Sequence, residues 1–434
     1  MQSLIARLKS LPLAIKFSAI AGVLSASTVN RVISFIFLAS VARLFGPAEF
    51  AKLSLSIAVM TITASVLDFG SNLSFVKRYG DTSSESKKRD LIRVILKWNL
   101  ILLVLICGVS YPASQLVSRY LTIFRSDSLL LLLAFCSGGL LNVVGVLQAI
   151  EQARKEFKTF VSYNYFSAIC RFSLGVLCIL THQLSLAIVF FSLYAGPFLL
   201  LLIFTVRRTY KYLLTEQRHE RSVRLQDEAR LLKPILVYGI WLGVTTALCS
   251  LPMQIPQFAM ANNVKAEEMG FYSAGLAFIP IFQLTYEAAR TVIFPDVASI
   301  QDVARRNQYR KTLWKASPLF FSFMFSALVI TAGAQYLLLG NQYRSSIPVF
   351  VILGSFFIFA AYFNYLNILV HSLGKPYLET VSVATRILLI TGLTLTLPKT
   401  AIAMSIAAGG VWFLGEFATY LVVQKLDSAT KSCT

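Results

Sequence analysis

Long apolar runs separated by short polar segments recur along the whole chain of 434 residues. Each run has about the 20 residues that a helix needs to cross the hydrocarbon core of a bilayer. No open sheet can leave its backbone groups unpaired in lipid, so the runs must be helical. The pattern predicts an all-α polytopic membrane protein with twelve transmembrane helices. The predicted spans are 17–42, 52–76, 98–118, 128–150, 159–181, 183–206, 234–256, 271–295, 316–338, 347–370, 377–397 and 400–423.

Composition supports this class. The chain is 56% hydrophobic and only 14% charged, whereas soluble domains carry about 25% charged residues. The net charge of +20 is compatible with a nucleic-acid partner. A nucleic-acid binder, however, would cluster its Lys and Arg on one face. Here they are spread over short loops between apolar runs, so we expect no nucleic-acid partner.

The loop charges indicate an orientation. With the N-terminus inside, 29 of the 40 Lys and Arg fall in inner segments and seven in outer loops. Cytoplasmic loops are the ones that carry such an excess, so both termini are predicted to be cytoplasmic. Residues 1–16 are predicted to form a basic amphipathic lead-in on the inner surface.

The longest loop, 207–233, divides the chain into two halves of six spans each. The predicted domains are therefore an N-terminal bundle over 1–206, a charged cytoplasmic linker and a C-terminal bundle over 234–434. An offset of 219 residues superposes 46–51 on 265–270, and an offset of 222 superposes Asn142 on Asn364. Six spans return the chain to the same side, so a pseudo-two-fold axis should run along the membrane normal.

Four arginines lie within the predicted spans. An arginine near the bilayer centre costs about 2.5–3.5 kcal/mol on insertion scales, so it should face a protein interior or a water-filled cavity. A surplus of cations there favours an anionic ligand, and the guanidinium fork suits the oxygens of a phosphate. The candidate ligands of such a phosphate-bearing anion are Arg31, Arg171, Arg290 and Arg386.

Three acids also lie within the spans, namely Asp68, Glu287 and Glu416. Asp68 and Glu287 are equivalent in the two halves, and all three are candidates to titrate or to bind a coupling cation. Alternatively, the acids are fixed counter-ions that brace the helices. Glu287 would then pair with Arg290, three residues away on the same helix face, and Asp68 with Arg31. At least one arginine would still have no carboxylate.

Signals for an enzyme are poor. The three histidines, His182, His219 and His371, fall in three different loops. The six cysteines have no spacing typical of a zinc or redox motif. There is no glycine-rich phosphate loop and no GxSxG turn, and the outer loops are short. We therefore expect no catalytic residue, no metal and no cofactor.

Several local motifs are informative together. They are residues 42–51 (ARLFGPAEFA), 68–70 (DFG), 76–78 (VKR), 338–343 (LLGNQY) and 371–376 (HSLGKP). With the span count and the loop sizes, these motifs resemble the polysaccharide flippase family, which belongs with the multidrug and toxin extrusion transporters. The chain departs from that family at Ala51, where glycine is common, and at 254–257, where a charged residue is common.

The resemblance implies two six-helix bundles around a cationic cavity and transport by alternating access. The implied cargo is an undecaprenyl-pyrophosphate-linked oligosaccharide of O-antigen, capsule or exopolysaccharide, carried to the outer leaflet of the bacterial cytoplasmic (inner) membrane. The implied partners are this lipid-linked oligosaccharide, membrane lipid, and the polysaccharide polymerase with its chain-length machinery.

Two alternatives stay open. One is a cation-coupled multidrug exporter of the same fold, whose cavity should be acidic. The other is a polytopic polysaccharide polymerase, which generally needs a large extramembrane loop.

Overall fold

The computed structural model describes residues 13–181, 185–215, 225–262, 265–283, 297, 300, 302–373 and 377–432. Within these ranges the chain is helical almost throughout, and no strand occurs in them. The predicted all-α class is confirmed.

The helices follow one another with short connections. Up to residue 215 they are α1 (Leu13–Asp68), α2 (Ser71–Asp81), α3 (Glu85–Tyr120), α4 (Ser128–Ala153), α5 (Phe157–Leu180), α6 (Leu186–Phe190), a π-helical turn (Phe191–Ala195) and α7 (Gly196–Thr215). After residue 224 they are α8 (Leu225–Met260), α9 (Ala266–Leu276), α10 (Val303–Leu339), α11 (Ser346–Asn367), α12 (Leu369–Ser372), α13 (Tyr377–Thr396) and α14 (Ala401–Ser432). Short 3₁₀ turns are found at Thr122–Phe124 and Asn341–Tyr343.

Most predicted spans lie within these helices, but several helices are longer than the spans: α3 begins at Glu85 instead of 98, and α10 begins at Val303 instead of 316. Among the described residues, nine helices are long and apolar enough to cross a membrane, and the first of them runs through predicted spans one and two. Residues 284–295 of the eighth predicted span lie outside the described part. The chain is a multi-pass membrane protein.

The described chain forms two compact units. The first unit consists of Met1–Leu38, Ser56–Tyr120 and Phe124–Ala247, and the second of Ala39–Leu55, Leu121–Ile123 and Leu248–Thr434. This division differs from the boundaries at 206 and 234 that the longest loop predicts. The second unit includes the turn between the first two spans, and α8 contributes residues to both units. The division into 1–206, 207–233 and 234–434 stays a prediction.

The turn between the first two spans belongs to the second unit because its backbone is bound there. The hydroxyl of Tyr343 donates to the carbonyl of Ala42 over 2.9 Å. Gly270 lies so close to Pro47 that a Cβ at Gly270 would be 2.9 Å from the Pro47 Cα. Gly46, in the left-handed region at φ 79°, makes the turn. The motifs at 42–51 and 338–343 therefore meet in space.

The second span is broken near its predicted inner end. Helix α1 ends at Asp68, Phe69 and Gly70 both have positive φ (45° and 68°), and α2 begins at Ser71. Helix α8 packs against this break through Gly239 and Gly243, one turn apart. A Cβ at Gly243 would lie 2.7 Å from the Cα of Phe69. This is the close backbone approach that small residues four apart allow between membrane helices.

We predict that Gly243→Ala destabilises the protein, since the added methyl group has to displace backbone. Overpacking of this kind costs about 1–3 kcal/mol. The measurement is the thermal unfolding midpoint in detergent. The control is Gly108→Ala in α3, where nothing lies within 4 Å of an added Cβ. An equal midpoint for the two variants would contradict the packing.

Candidate functional site

Arg171 of α5 is buried inside the first unit, 6% exposed, and is held by neutral oxygens. Its Nε donates to the Leu193 carbonyl over 2.7 Å. Its Nη1 donates to Asn30 Oδ1 over 3.0 Å and to the Ser34 hydroxyl. Asn30 and Ser34 are four residues apart and lie on one face of α1. Among the described residues no carboxylate pairs with Arg171.

The local sequence explains why Leu193 can accept this bond. Leu193 lies in the π-helical turn, and Pro197 follows four residues later. Proline has no amide hydrogen to give to the carbonyl four residues before it. The Arg171 Nε supplies the missing donor. The ring of Tyr194, with its centroid 5.6 Å from the Arg171 Cζ, adds a cation–π contact.

This arrangement keeps the charge of Arg171 uncompensated. Its partners are a carbonyl, an amide, a hydroxyl and an aromatic ring, which carry no formal charge. Among the described residues, Nη2 has no hydrogen-bond partner, so its two N–H groups are left for a ligand. Arg31, next to Asn30 in α1, is exposed on the same unit. The first unit therefore holds two guanidinium groups, and Arg31 adjoins Asn30, one of the residues that bind Arg171.

Arg386 of α13, in the second unit, is buried differently. Its Nη2 lies 3.1 Å from Glu416 Oε1 of α14 and donates to the Ser382 hydroxyl over 2.9 Å. Glu416 also accepts from the side-chain amides of Asn364 (2.9 Å) and Asn367 (2.7 Å) of α11. The charge of Arg386 is neutralised. This is the arrangement that the counter-ion alternative describes, and the role of Arg386 in binding pyrophosphate stays a prediction.

Space around the Arg386 side chain is shaped by Gly415 and by a cavity. A Cβ at Gly415 would lie 2.8 Å from the Arg386 Cδ, so a larger residue at 415 would displace the Arg386 side chain from its present position beside Glu416. A cavity of about 400 Å³ between α13 and α14 is lined by Arg386, Ser382 and Thr419 together with apolar side chains.

Asp68 caps a helix. Its carboxylate accepts from the Ser71 hydroxyl (3.2 Å) and the Asn72 amide (3.1 Å) at the start of α2. Among the described residues no ion pair joins Asp68 to Arg31, so that proposed pairing is not made. Glu287 and Arg290 lie outside the described residues.

A model of the polysaccharide biosynthesis protein family matches residues 19–301, which is more than half of the chain. The chain belongs to the polysaccharide biosynthesis protein family. The relationship that the sequence motifs indicated is thereby confirmed. No curated protein sequence matches the chain.

The solved structures to which this chain is similar include transporters and a lipid flippase. One, an inward-facing multidrug resistance MATE family transporter of the MOP superfamily, has a TM-score of 0.70 at 15% identity over 94% of this chain and 96% of that chain. A MOP superfamily transporter from Pyrococcus furiosus has a TM-score of 0.65 at 14% identity over 95% of each chain. The lipid II flippase MurJ has a TM-score of 0.63 at 14% identity over 93% of this chain and 90% of that chain. At these identities the likeness shows the fold alone.

The sequence patterns indicated the arginines and Glu416, but not the amide and hydroxyl groups that bind them. Asn30, Ser34, Asn364 and Asn367 lie inside apolar runs, where a buried amide or hydroxyl needs a partner. Two features of the sequence point to these partners. A buried amide or hydroxyl needs a hydrogen-bond partner, and Pro197 leaves the Leu193 carbonyl without its usual amide donor.

A second set of buried charges joins two helices of the second unit. The guanidinium groups of Arg306 and Arg310 lie 2.8 and 2.7 Å from the carboxylate of Asp427, which is 1% exposed. The ends of α10 and α14 are therefore joined by buried charges in the second unit.

We predict that Arg386→Gln destabilises this family member by about 3–5 kcal/mol, since it leaves the buried Glu416 without its cation. The double variant with Glu416→Gln should recover most of the loss, because no buried charge is then unpaired. Thermal unfolding of the two single variants and the double variant measures the coupling. Additive losses would contradict a neutralising pair.

Proposed function

We propose that the protein is a flippase for undecaprenyl-pyrophosphate-linked oligosaccharide repeat units of O-antigen, capsule or exopolysaccharide. It carries them from the inner to the outer leaflet of the bacterial cytoplasmic membrane by alternating access, with both termini in the cytoplasm. Membership of the polysaccharide biosynthesis family and the fold of MOP superfamily transporters support this proposal.

The observation that carries the proposal is the uncompensated charge of Arg171. A buried guanidinium without a carboxylate is costly in a membrane protein and marks a functional site. The two N–H groups of Nη2 match the oxygens of a phosphate, and such charge-assisted bonds are worth about 1.5–3 kcal/mol each. The exposed Arg31 provides a second cation for the second phosphate of a pyrophosphate.

The remaining predicted residues take supporting roles in this proposal. Arg290 and Arg386 contact the pyrophosphate at other stages of transport. Asp68, Glu287 and Glu416 are the candidates for coupling to an ion gradient. The prenyl chain stays in lipid while the head group passes. The protein is not an enzyme, since the cargo crosses unchanged, and the polymerase and chain-length machinery act on the units after delivery.

We predict that Arg171→Gln abolishes surface polysaccharide in a strain whose own copy of the gene is deleted. Its neighbours are neutral, so the substitution leaves no buried charge unpaired and the protein should still fold. Arg171→Lys keeps the charge but loses the planar fork, and it should restore polysaccharide only in part. The measurements are surface polysaccharide, the leaflet that holds the repeat units, and the amount of protein in the membrane.

The matched control is Asn164→Leu, which removes another buried polar side chain of α5, one that donates to the Phe160 carbonyl. It should keep more polysaccharide than Arg171→Gln at equal protein level. Full polysaccharide with Arg171→Gln would refute the anion site. Single repeat units facing outward after gene deletion would indicate a polymerase instead, and efflux of cationic drugs above background would indicate an exporter.

A further inference from the structure

The broken second span carries oxygen atoms with unused acceptor positions in the first unit. The carboxylate oxygen Oδ1 of Asp68 accepts from the Ser71 hydroxyl and from the Asn72 backbone amide. A carboxylate has about four acceptor positions, so the two on Oδ2 are left among the described residues. The last carbonyls of α1 lie at the break beside the positive N-terminal end of α2, and the Asp68 carboxylate accepts from an amide of that end.

Asn142 of α4 adds a second oxygen, and its orientation is fixed by hydrogen bonds. The Asn99 Nδ2 donates to the Ile95 carbonyl over 2.9 Å, so the Asn99 Oδ1 is an acceptor. The Asn142 Nδ2 donates to that oxygen over 2.7 Å. The Asn142 Oδ1 therefore points away from α3. It is buried, on a side chain 4% exposed, and no donor among the described residues reaches it.

Asn72 of α2 adds a third oxygen. Its Oδ1 is buried, and no donor in the described chain reaches it. Its amide lies against α4, because a Cβ at Gly145 would be 3.0 Å from the Asn72 Nδ2. Gly145 and Asn142 are three residues apart and share a face of α4. Asn72 and Asn142 therefore lie at the same helix contact.

Asp68 lies at the level of this contact. Earlier in the second span, Thr63 packs against α4 at Gly138, where an added Cβ would be 2.6 Å from the Thr63 Cβ. Later, Asn72 packs against Gly145. The two segments run in the same direction, so Asp68, between Thr63 and Asn72, lies beside the part of α4 between Gly138 and Gly145.

We propose that Asp68, Asn72 and Asn142 form a binding site for Na⁺, the coupling ion of transport. Oxygen atoms are the ligands of hard cations, and a divalent ion is held by more than one carboxylate in most protein sites. One carboxylate with two neutral amide oxygens balances a single positive charge. Discontinuous membrane helices form coupling-ion sites with their free carbonyls and helix ends. This inference rests on the proposed function, because only a transporter has a coupling ion.

The test measures Na⁺ binding directly on the purified full chain. The thermal unfolding midpoint is followed as NaCl replaces choline chloride at constant ionic strength, with KCl as a second salt. A ligand that binds the folded state raises the midpoint with its concentration. We expect a rise with Na⁺ only. Bound radioactive sodium should saturate at one ion per chain.

Three variants locate the site. Asn142→Leu and Asp68→Asn should each lose the rise and the bound sodium. Asparagine is also a good helix-capping residue, so Asp68→Asn should still fold. This variant therefore tests the site even if Asn142→Leu does not fold. The matched control is Asn164→Leu in α5, which removes another buried amide of the first unit, one that donates to the Phe160 carbonyl. This variant should keep Na⁺ binding.

Equal midpoints in Na⁺ and choline, or Na⁺ binding that survives in Asp68→Asn, would overturn the site. A rise produced by acid alone would also overturn it, since a proton would then be the ligand. Loss of the site with surface polysaccharide retained in Asp68→Asn would leave the flippase intact and refute the coupling. A polysaccharide defect is scored separately from sodium binding, so the two proposals can fail independently.

Discussion

The guanidinium of Arg171 in the hydrocarbon layer is the constraint around which the first unit is arranged. A charge at that depth has to be solvated by protein, and here a carbonyl, an amide, a hydroxyl and an aromatic ring solvate it. The carbonyl is available because Pro197 cannot donate to it. Three segments of the chain, α1, α5 and the π-helical turn, are thereby joined by one side chain without its charge being cancelled.

Arg171 and Arg386, the two central arginines that the structure describes, are stabilised in different ways. Arg171 and Arg386 each lie in the fifth predicted span of a half, and each reaches the following span. Arg171 meets a backbone carbonyl there, whereas Arg386 meets the carboxylate of Glu416. A neutralised pair braces helices, and an unneutralised guanidinium attracts anions. The halves resemble each other in sequence, yet among the described residues only the first has this uncompensated charge at its fifth span.

The break in the second predicted span places irregular backbone inside the membrane. Open polar backbone is tolerated at that depth only where protein or water covers it. The break at Phe69 and Gly70 is covered by Gly239 and Gly243 of α8. In our proposal the same break supplies the Asp68 carboxylate to a Na⁺ site.

Hydropathy along the sequence determined the helical class, the positions of the spans and the four arginines within them, because lipid imposes these requirements on each segment separately. Loop charges gave a predicted orientation for the same local reason. Only the tertiary structure decided which oxygen meets which cation. Arg171 binds Asn30, 141 residues away, Arg386 binds Glu416, and Arg306 is buried with Asp427 instead of facing water. No local pattern encodes these pairs, since they depend on how separate helices pack and on where a proline or a glycine interrupts them.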